Sequence, residues 1–219
     1  METSIQNKLF AHRIFLFLII FAGGSFGHAH VFVDYKVHAC INETGLEGVF
    51  VNWTFDQMYA QFIQKEFDTN NDKKLSKDEQ TAIYKKFITD MGKVNYFTVI
   101  KVDGKNYSVP KPTNFSARIL GDKRVVAYSF FLPLKLKATD KNTDIQVYFF
   151  DPVIYVAFTV MPKDVTIQNK SNAIEAKIGL KKIQYTNCPI ISMKVKSWDE
   201  TTTQPHSLSI QHDTHSECQ

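Results

Sequence analysis

The chain has 219 residues, with 26 Lys and Arg against 22 Asp and Glu, a net charge of +4, and 44% hydrophobic and 13% aromatic residues. These values are those of a globular protein and exclude a chain disordered throughout. So small a basic excess also excludes the strong positive field of a nucleic-acid-binding domain, and the length suits one domain with a sizeable core.

Lys8 and Arg13 flank the start of an apolar run, Ile14 to Ala22, and the small residues Gly23, Gly24, Ser25 and Gly27 follow it. That order is the pattern of a secretory signal peptide, and the run is much shorter than the ~20 residues of a membrane helix. Residues 1–27 are therefore assigned to the signal. Cleavage after Gly27 leaves His28 first; cleavage after Ala29 leaves His30 first. The mature chain has no second long apolar run, so it is expected in the periplasm or secreted, without a transmembrane span. That compartment permits disulfides. Cys40 and Cys188 can pair, but Cys218 makes the count odd, and the pairing stays open.

Residues 31–41 alternate, with Val31, Val33, Tyr35 and Val37 on one face, and read as a half-buried strand. Gly45 to Phe55 reads as its hairpin partner. The period then changes. Phe55, Met58, Tyr59, Phe62 and Ile63 recur at helical spacing, as do Ile83, Tyr84, Phe87, Ile88 and Met91, with Gly92 as a stop. A helix–loop–helix is thus predicted over 56–92. Strands are predicted at 97–102, 116–120, 125–132, 144–149, 155–160, 165–168 and 190–195, with tight turns at Asp103-Gly104 and Gly121-Asp122. Residues 197–219 are polar and are expected to be disordered. The fold class is α+β: a single domain over 28–196, mainly antiparallel β and sandwich-like, with an inserted EF-hand-like helical hairpin.

Between the two helical patterns, Asp68 to Glu79 fits the twelve-residue calcium loop. Asp68, Asn70, Asp72, Ser76 and Glu79 place oxygen side chains at alternate positions, Lys74 offers its carbonyl, and Leu75 is the apolar anchor. A hard cation takes six to eight oxygens, which explains the spacing. Lys73 stands where glycine is usual, at a cost of about 1 kcal/mol for a left-handed backbone. The expected cofactor is Ca²⁺, bound weakly at ~10⁻⁴–10⁻³ M, as a staple.

His28-Ala29-His30 stands at the new N-terminus, where two imidazoles and an α-amine make a nitrogen-rich site for Cu²⁺, Ni²⁺ or Zn²⁺. Asp34 can add a carboxylate. His206, His212 and His215 lie in the polar tail and read as a solvated extension. No motif of a catalytic triad, zinc protease, redox dithiol, Walker loop or dinucleotide fold is present, so the chain is read as a non-enzyme.

These segments, in order, resemble a family. His28 to Asp34 resembles the His-Pro-His-Val-(Phe/Trp)-(Ile/Val)-Asp start of the bacterial domain-of-unknown-function 1007 family. Trp53 to Tyr59 resembles its W-x-F-D-E-M-(F/Y) segment, and Phe67 to Glu79 its Asp-rich loop. Tyr96 to Gly104 resembles its Y-F-T…V-D-G strand, and Phe149 to Tyr155 its Y-D-P-T-Y-(F/Y) segment; Cys188 sits where the family often has a late Cys. The resemblance covers about residues 28–195. Ala29, Gln57, Lys73 and Val153 depart from its pattern. It implies a periplasmic component of an ABC-type transport system, or a partner of a nickel/cobalt- or zinc-type inner-membrane permease. His28, His30 and Asp34 would then hold Ni²⁺, Co²⁺, Zn²⁺ or Cu²⁺, with Asp56 and Asp151 as further candidate ligands. Two alternatives stand beside this reading: a copper-dependent redox enzyme using an N-terminal His, and a calcium-stabilised interaction module.

Overall fold

The computed structural model describes residues 29–121, 125–183 and 186–196. The signal-peptide assignment, His28, and the polar tail with its histidines and Cys218 lie outside the described residues. β1 (Val31–Asn42) and β2 (Gly45–Phe55) form the predicted hairpin. The Asn42 side chain builds its turn by accepting from the Thr44 amide (2.9 Å), the Thr44 hydroxyl (2.8 Å) and the Gly45 amide (3.2 Å). α1 (Gln57–Phe67) and α2 (Lys77–Met91) follow. Then come β3 (Thr98–Val102), β4 (Lys105–Tyr107), β5 (Thr113–Leu120), β6 (Val125–Lys137), β7 (Thr143–Phe149), β8 (Val156–Thr159), β9 (Val165–Asn169), β10 (Ile174–Ile183) and β11 (Thr186–Val195).

Among the described residues the strands make two sheets. One runs β5-β6-β2-β1-β8, with β9 also on β1; the other runs β10-β11-β7-β3-β4. The first departs from the antiparallel expectation at one edge. β1 pairs in parallel with β8 over Val31–Asp34 and with β9 over Val37–Ile41. The chain leaves the edge between those stretches, and there Lys36 Nζ meets Asp164 Oδ1 at 3.2 Å.

β1 alternates as its sequence predicts: Val33, Tyr35 and Val37 are buried, while Phe32, Asp34 and Lys36 are exposed. β6 has 13 residues and spans about 43 Å. The second sheet covers only part of this inward face. Trp53 marks the junction. Its ring meets Phe149 of the second sheet at 5.1 Å, Phe130 of β6 at 5.1 Å and Phe87 of α2 at 6.0 Å. The helical pair therefore covers the part of the long sheet that the second sheet leaves bare.

Two sequence expectations are corrected. Met58 and Phe62 were placed on the buried stripe of α1, but they are 59% and 50% exposed; Ala60, Ile63 and Phe67 carry the burial. Gly92 does end its helix, as the sequence predicts, with a right-handed φ of −60°; the chain then tightens into a 3₁₀ turn, and Asn95, Tyr96 and Phe97 take positive φ. β4 and β10 were not predicted. β10 does alternate, with Ile174, Ala176, Ile178 and Leu180 on one side, but its intervening Lys residues and Gly179 mask the signal of an edge strand.

Trp53→Ala is expected to cost about 3–5 kcal/mol. Trp53→Phe costs less, because it keeps a ring and removes a buried indole N–H that has no acceptor. Urea unfolding followed by far-ultraviolet circular dichroism checks the order of the two losses.

Candidate functional site

β1 and β2 pair Val33 with Phe55, so the residue that follows β2 lands beside the start of β1. That residue is Asp56. Its amide donates to the Phe32 carbonyl at 2.9 Å, and its Oδ2 accepts from the Phe32 amide at 2.6 Å. Its Oδ1 accepts from the Tyr59 amide at 2.9 Å and caps α1. One carboxylate thus joins the first strand to the first helix. Beside it opens a cleft of about 410 Å³, lined by His30, Phe32, Asp56, Gln57, Met58 and Gln61.

Asp151 folds the loop that meets His30. It is 4% exposed; Oδ1 accepts from the Val153 amide at 3.0 Å, and Oδ2 from the Tyr155 and Val156 amides at 3.0 and 2.9 Å. The loop folded in this way presents the Tyr155 carbonyl, which accepts from the amides of His30 (2.9 Å) and Val31 (3.1 Å). The His30 and Tyr155 rings lie 5.2 Å apart at 34°. His30 is exposed at the lip of the cleft.

The candidate transition-metal ligands therefore divide. Asp56 and Asp151 are committed to backbone amides and act as anchors. Asp34 faces outward from β1, in register with Thr54 and Thr159. Among the described residues no three His, Cys, Asp or Glu side chains come together to hold a metal. His38 is eight residues along β1 from His30, about 26 Å away, and its Nδ1 meets Thr166 Oγ1 at 2.8 Å. Sequence reading missed Met58 and Gln61 as lining groups and Tyr155 as the neighbour of His30. Tyr155 reaches the site through a loop folded from distant sequence. Met58 and Phe62 form their own i, i+4 stripe, which the richer Ile63 stripe hides.

The loop between the helices closes on itself. Asp68 and Glu79 are buried. Asp68 Oδ1 accepts from the Asp72 amide (3.2 Å) and Oδ2 from the Lys73 amide (3.0 Å). Glu79 Oε1 accepts from the Thr69 amide (2.8 Å) and hydroxyl (2.9 Å), and Oε2 from the Ser76 amide (2.9 Å). Ser76 returns a cap to the Glu79 amide at 3.3 Å. Asn70 Oδ1 accepts from the Asp72 amide (3.1 Å), and Asp72 Oδ1 from the Lys74 amide (2.8 Å). Lys73 adopts the left-handed φ of 62° that glycine would take more cheaply. Leu75 is buried beneath, as predicted. The oxygens placed for a cation thus already accept N–H and O–H donors.

Cys188 is a free, buried thiol, so the Cys40–Cys188 pairing left open by the sequence is not made. Its Sγ donates to the Pro189 carbonyl at 3.5 Å, and burial pushes its pKa up to about 12. It is therefore a poor nucleophile and a poor metal ligand.

A family model described as a protein of unknown function (DUF1007) matches residues 13–205. An uncharacterized 15.5 kDa protein in the trpE 3′ region of Spirochaeta aurantia is 31% identical over 111 residues, which cover 51% of this chain and 71% of the relative. An uncharacterized protein of Haemophilus influenzae is 27% identical over 150 residues, 64% of this chain and 66% of that protein's length.

The Ser76 and Thr69 donors hold the Glu79 carboxyl down, from 4.5 to about 2. A carboxylate depressed in the folded state stabilises above its unfolded pKa, and that stability is lost as pH falls through the folded one. The melting temperature is thus expected to fall as pH drops from 4.5 to about 2, and Glu79→Gln to remove that part of the dependence. Asp56→Ala is expected to cost about 1–3 kcal/mol, through a lost helix cap and an unpaired Phe32 amide. Denaturant titration reads it.

Proposed function

The chain belongs to the DUF1007 family, and from that premise we propose that it is a periplasmic, non-enzymatic metal-binding accessory protein of a transition-metal transport system. The observation that carries the reading is His30: an exposed imidazole lining an open cleft, beside Asp56, whose carboxylate is occupied by backbone amides. In this reading export and cleavage leave His28 and His30 at the start of the mature chain. Two imidazoles and an amine then take up Ni²⁺, Co²⁺, Zn²⁺ or Cu²⁺ as cargo.

Surface chemistry around the lip supports transfer to a partner. Phe32, Met58, Phe62, Val153, Ile154 and Tyr155 are each 45% exposed or more. Side chains of this kind suit a dry, transient contact with an inner-membrane permease or ABC-type transporter. Ca²⁺ has an accessory part in this reading. The helix connector is already closed by hydrogen bonds, so the ion adds rigidity at millimolar concentration and is not needed for folding. The copper-enzyme alternative is less favoured, because the nearest other described imidazole is about 26 Å along the strand.

Titration calorimetry on the mature protein tests the reading. Ni²⁺, Zn²⁺ or Cu²⁺ is expected to bind stoichiometrically, and a His28→Ala/His30→Ala variant to lose that binding. Equal binding by both proteins would overturn the N-terminal site. Separately, Ca²⁺ in the millimolar range is expected to raise the melting temperature, and Asp68→Asn to abolish the rise.

A further inference from the structure

We propose that the cleft beside the start of β1 is a soft-metal site for Cu⁺, with the His30 imidazole and the Met58 thioether as its two donors. The inference rests on the reading above in taking His30 as a metal donor. It adds a second donor and names the ion, and neither donor depends on whether cleavage follows Gly27 or Ala29.

The cleft of about 410 Å³ has one wall of strand and one of helix. His30 and Phe32, two residues apart where the chain enters β1, line the first. Met58 and Gln61, three apart in α1, share the helix face that lines the second. Asp56 fixes the two walls to each other, because its Oδ2 accepts from the Phe32 amide at 2.6 Å and its Oδ1 from the Tyr59 amide at 2.9 Å. The His30 amide is held in turn by the Tyr155 carbonyl at 2.9 Å. The backbone around both donors is thus set before any ion arrives. Met58 is 59% exposed, and its unbranched side chain has three rotatable bonds, so the sulfur can swing toward the imidazole while its helix stays in place.

The donors select the ion. A lone exposed methionine needs no explanation, so the weight rests on a thioether and an imidazole lining one cleft. Among the described residues no three His, Cys, Asp or Glu side chains come together, so a site at His30 has to draw on other donors. Apart from Asp56, the polar groups of the cleft are the imidazole, the thioether and the amides of Gln57 and Gln61, none of them anionic. A polarizable thioether selects Cu⁺, whereas Ni²⁺ and Zn²⁺ take imidazole and gain little from it. Charge points the same way. One monovalent ion is balanced by the one carboxylate of Asp56, while a divalent ion would keep an uncompensated charge in the cleft.

The test labels the methionine methyl groups of the exported protein and titrates in Ag⁺, a redox-inert stand-in for Cu⁺. The Met58 methyl resonance is expected to move, while that of Met161, 53% exposed but outside the cleft, stays. Cu⁺ affinity is then measured by competition with a colorimetric Cu⁺ chelator, without oxygen, for the natural protein, Met58→Leu and His30→Ala. Leucine conserves volume at this exposed helical position, so the variant keeps the fold. Met58→Leu is expected to weaken Cu⁺ binding at least about tenfold, the loss that follows removal of a ligand's outer partner alone, and to leave Ni²⁺ and Zn²⁺ binding unchanged. Unchanged Cu⁺ affinity in Met58→Leu, or Ag⁺ moving Met58 and Met161 alike, would overturn the pair; loss of binding in His30→Ala alone would then leave the imidazole reading standing. Unchanged binding of every ion in both variants would overturn the two readings together.

Discussion

A long aromatic sheet face has to be covered from two sides, and the rest of the fold answers to that. β1, β2 and β6 have 12, 11 and 13 residues, against 7 in β7 and 5 in β3, the central strands of the second sheet, so one packing partner is not enough. Trp53 sits where the covers meet, edge-on to Phe149 from one side and close to Phe87 from the other. The helical pair inserted after β2 is thus part of the core. Its connector then has to be stiff, and the buried carboxylates of Asp68 and Glu79 make it so by gathering the amides of the loop. A sequence shaped like a calcium loop serves here first as a hydrogen-bonded corner between two helices.

The same strand pairing locates the exposed chemistry. Because β1 and β2 are antiparallel, the end of β2 returns to the start of β1, and Asp56 falls between the first strand and the first helix. Asp151 does the corresponding work for the loop that meets His30. Both carboxylates are spent on geometry, and the imidazole they flank is left facing solvent.

Much of the architecture was legible in one dimension. The strict alternation of β1, the Asn42–Gly45 turn, the change to helical period after Phe55 and the Asp103-Gly104 turn all have local causes, and local causes are written in adjacent residues. The Ser76–Glu79 capping box is of the same kind. What escaped was whatever depends on a distant neighbour. Met58 and Phe62 look like core residues on a helical wheel, yet they stay 59% and 50% exposed. β10 looks too charged for a strand until β11 lies beside it.

The site divides along the same line. The sequence by itself determined the residue types around His30, the oxygen spacing of the helix connector and the family to which the chain belongs, because each is a property of residues near one another in the chain. Only the tertiary structure decided which carboxylates and thiols are already committed to other groups. Asp56 and Asp151 are indistinguishable from ligands until the amides of Phe32, Tyr155 and Val156 are brought against them. Cys188 is indistinguishable from a bridge partner until it is seen unpaired and buried. A carboxylate or thiol becomes an anchor or a ligand according to which groups the fold delivers to its lone pairs, and those groups come from strands and loops far away in sequence.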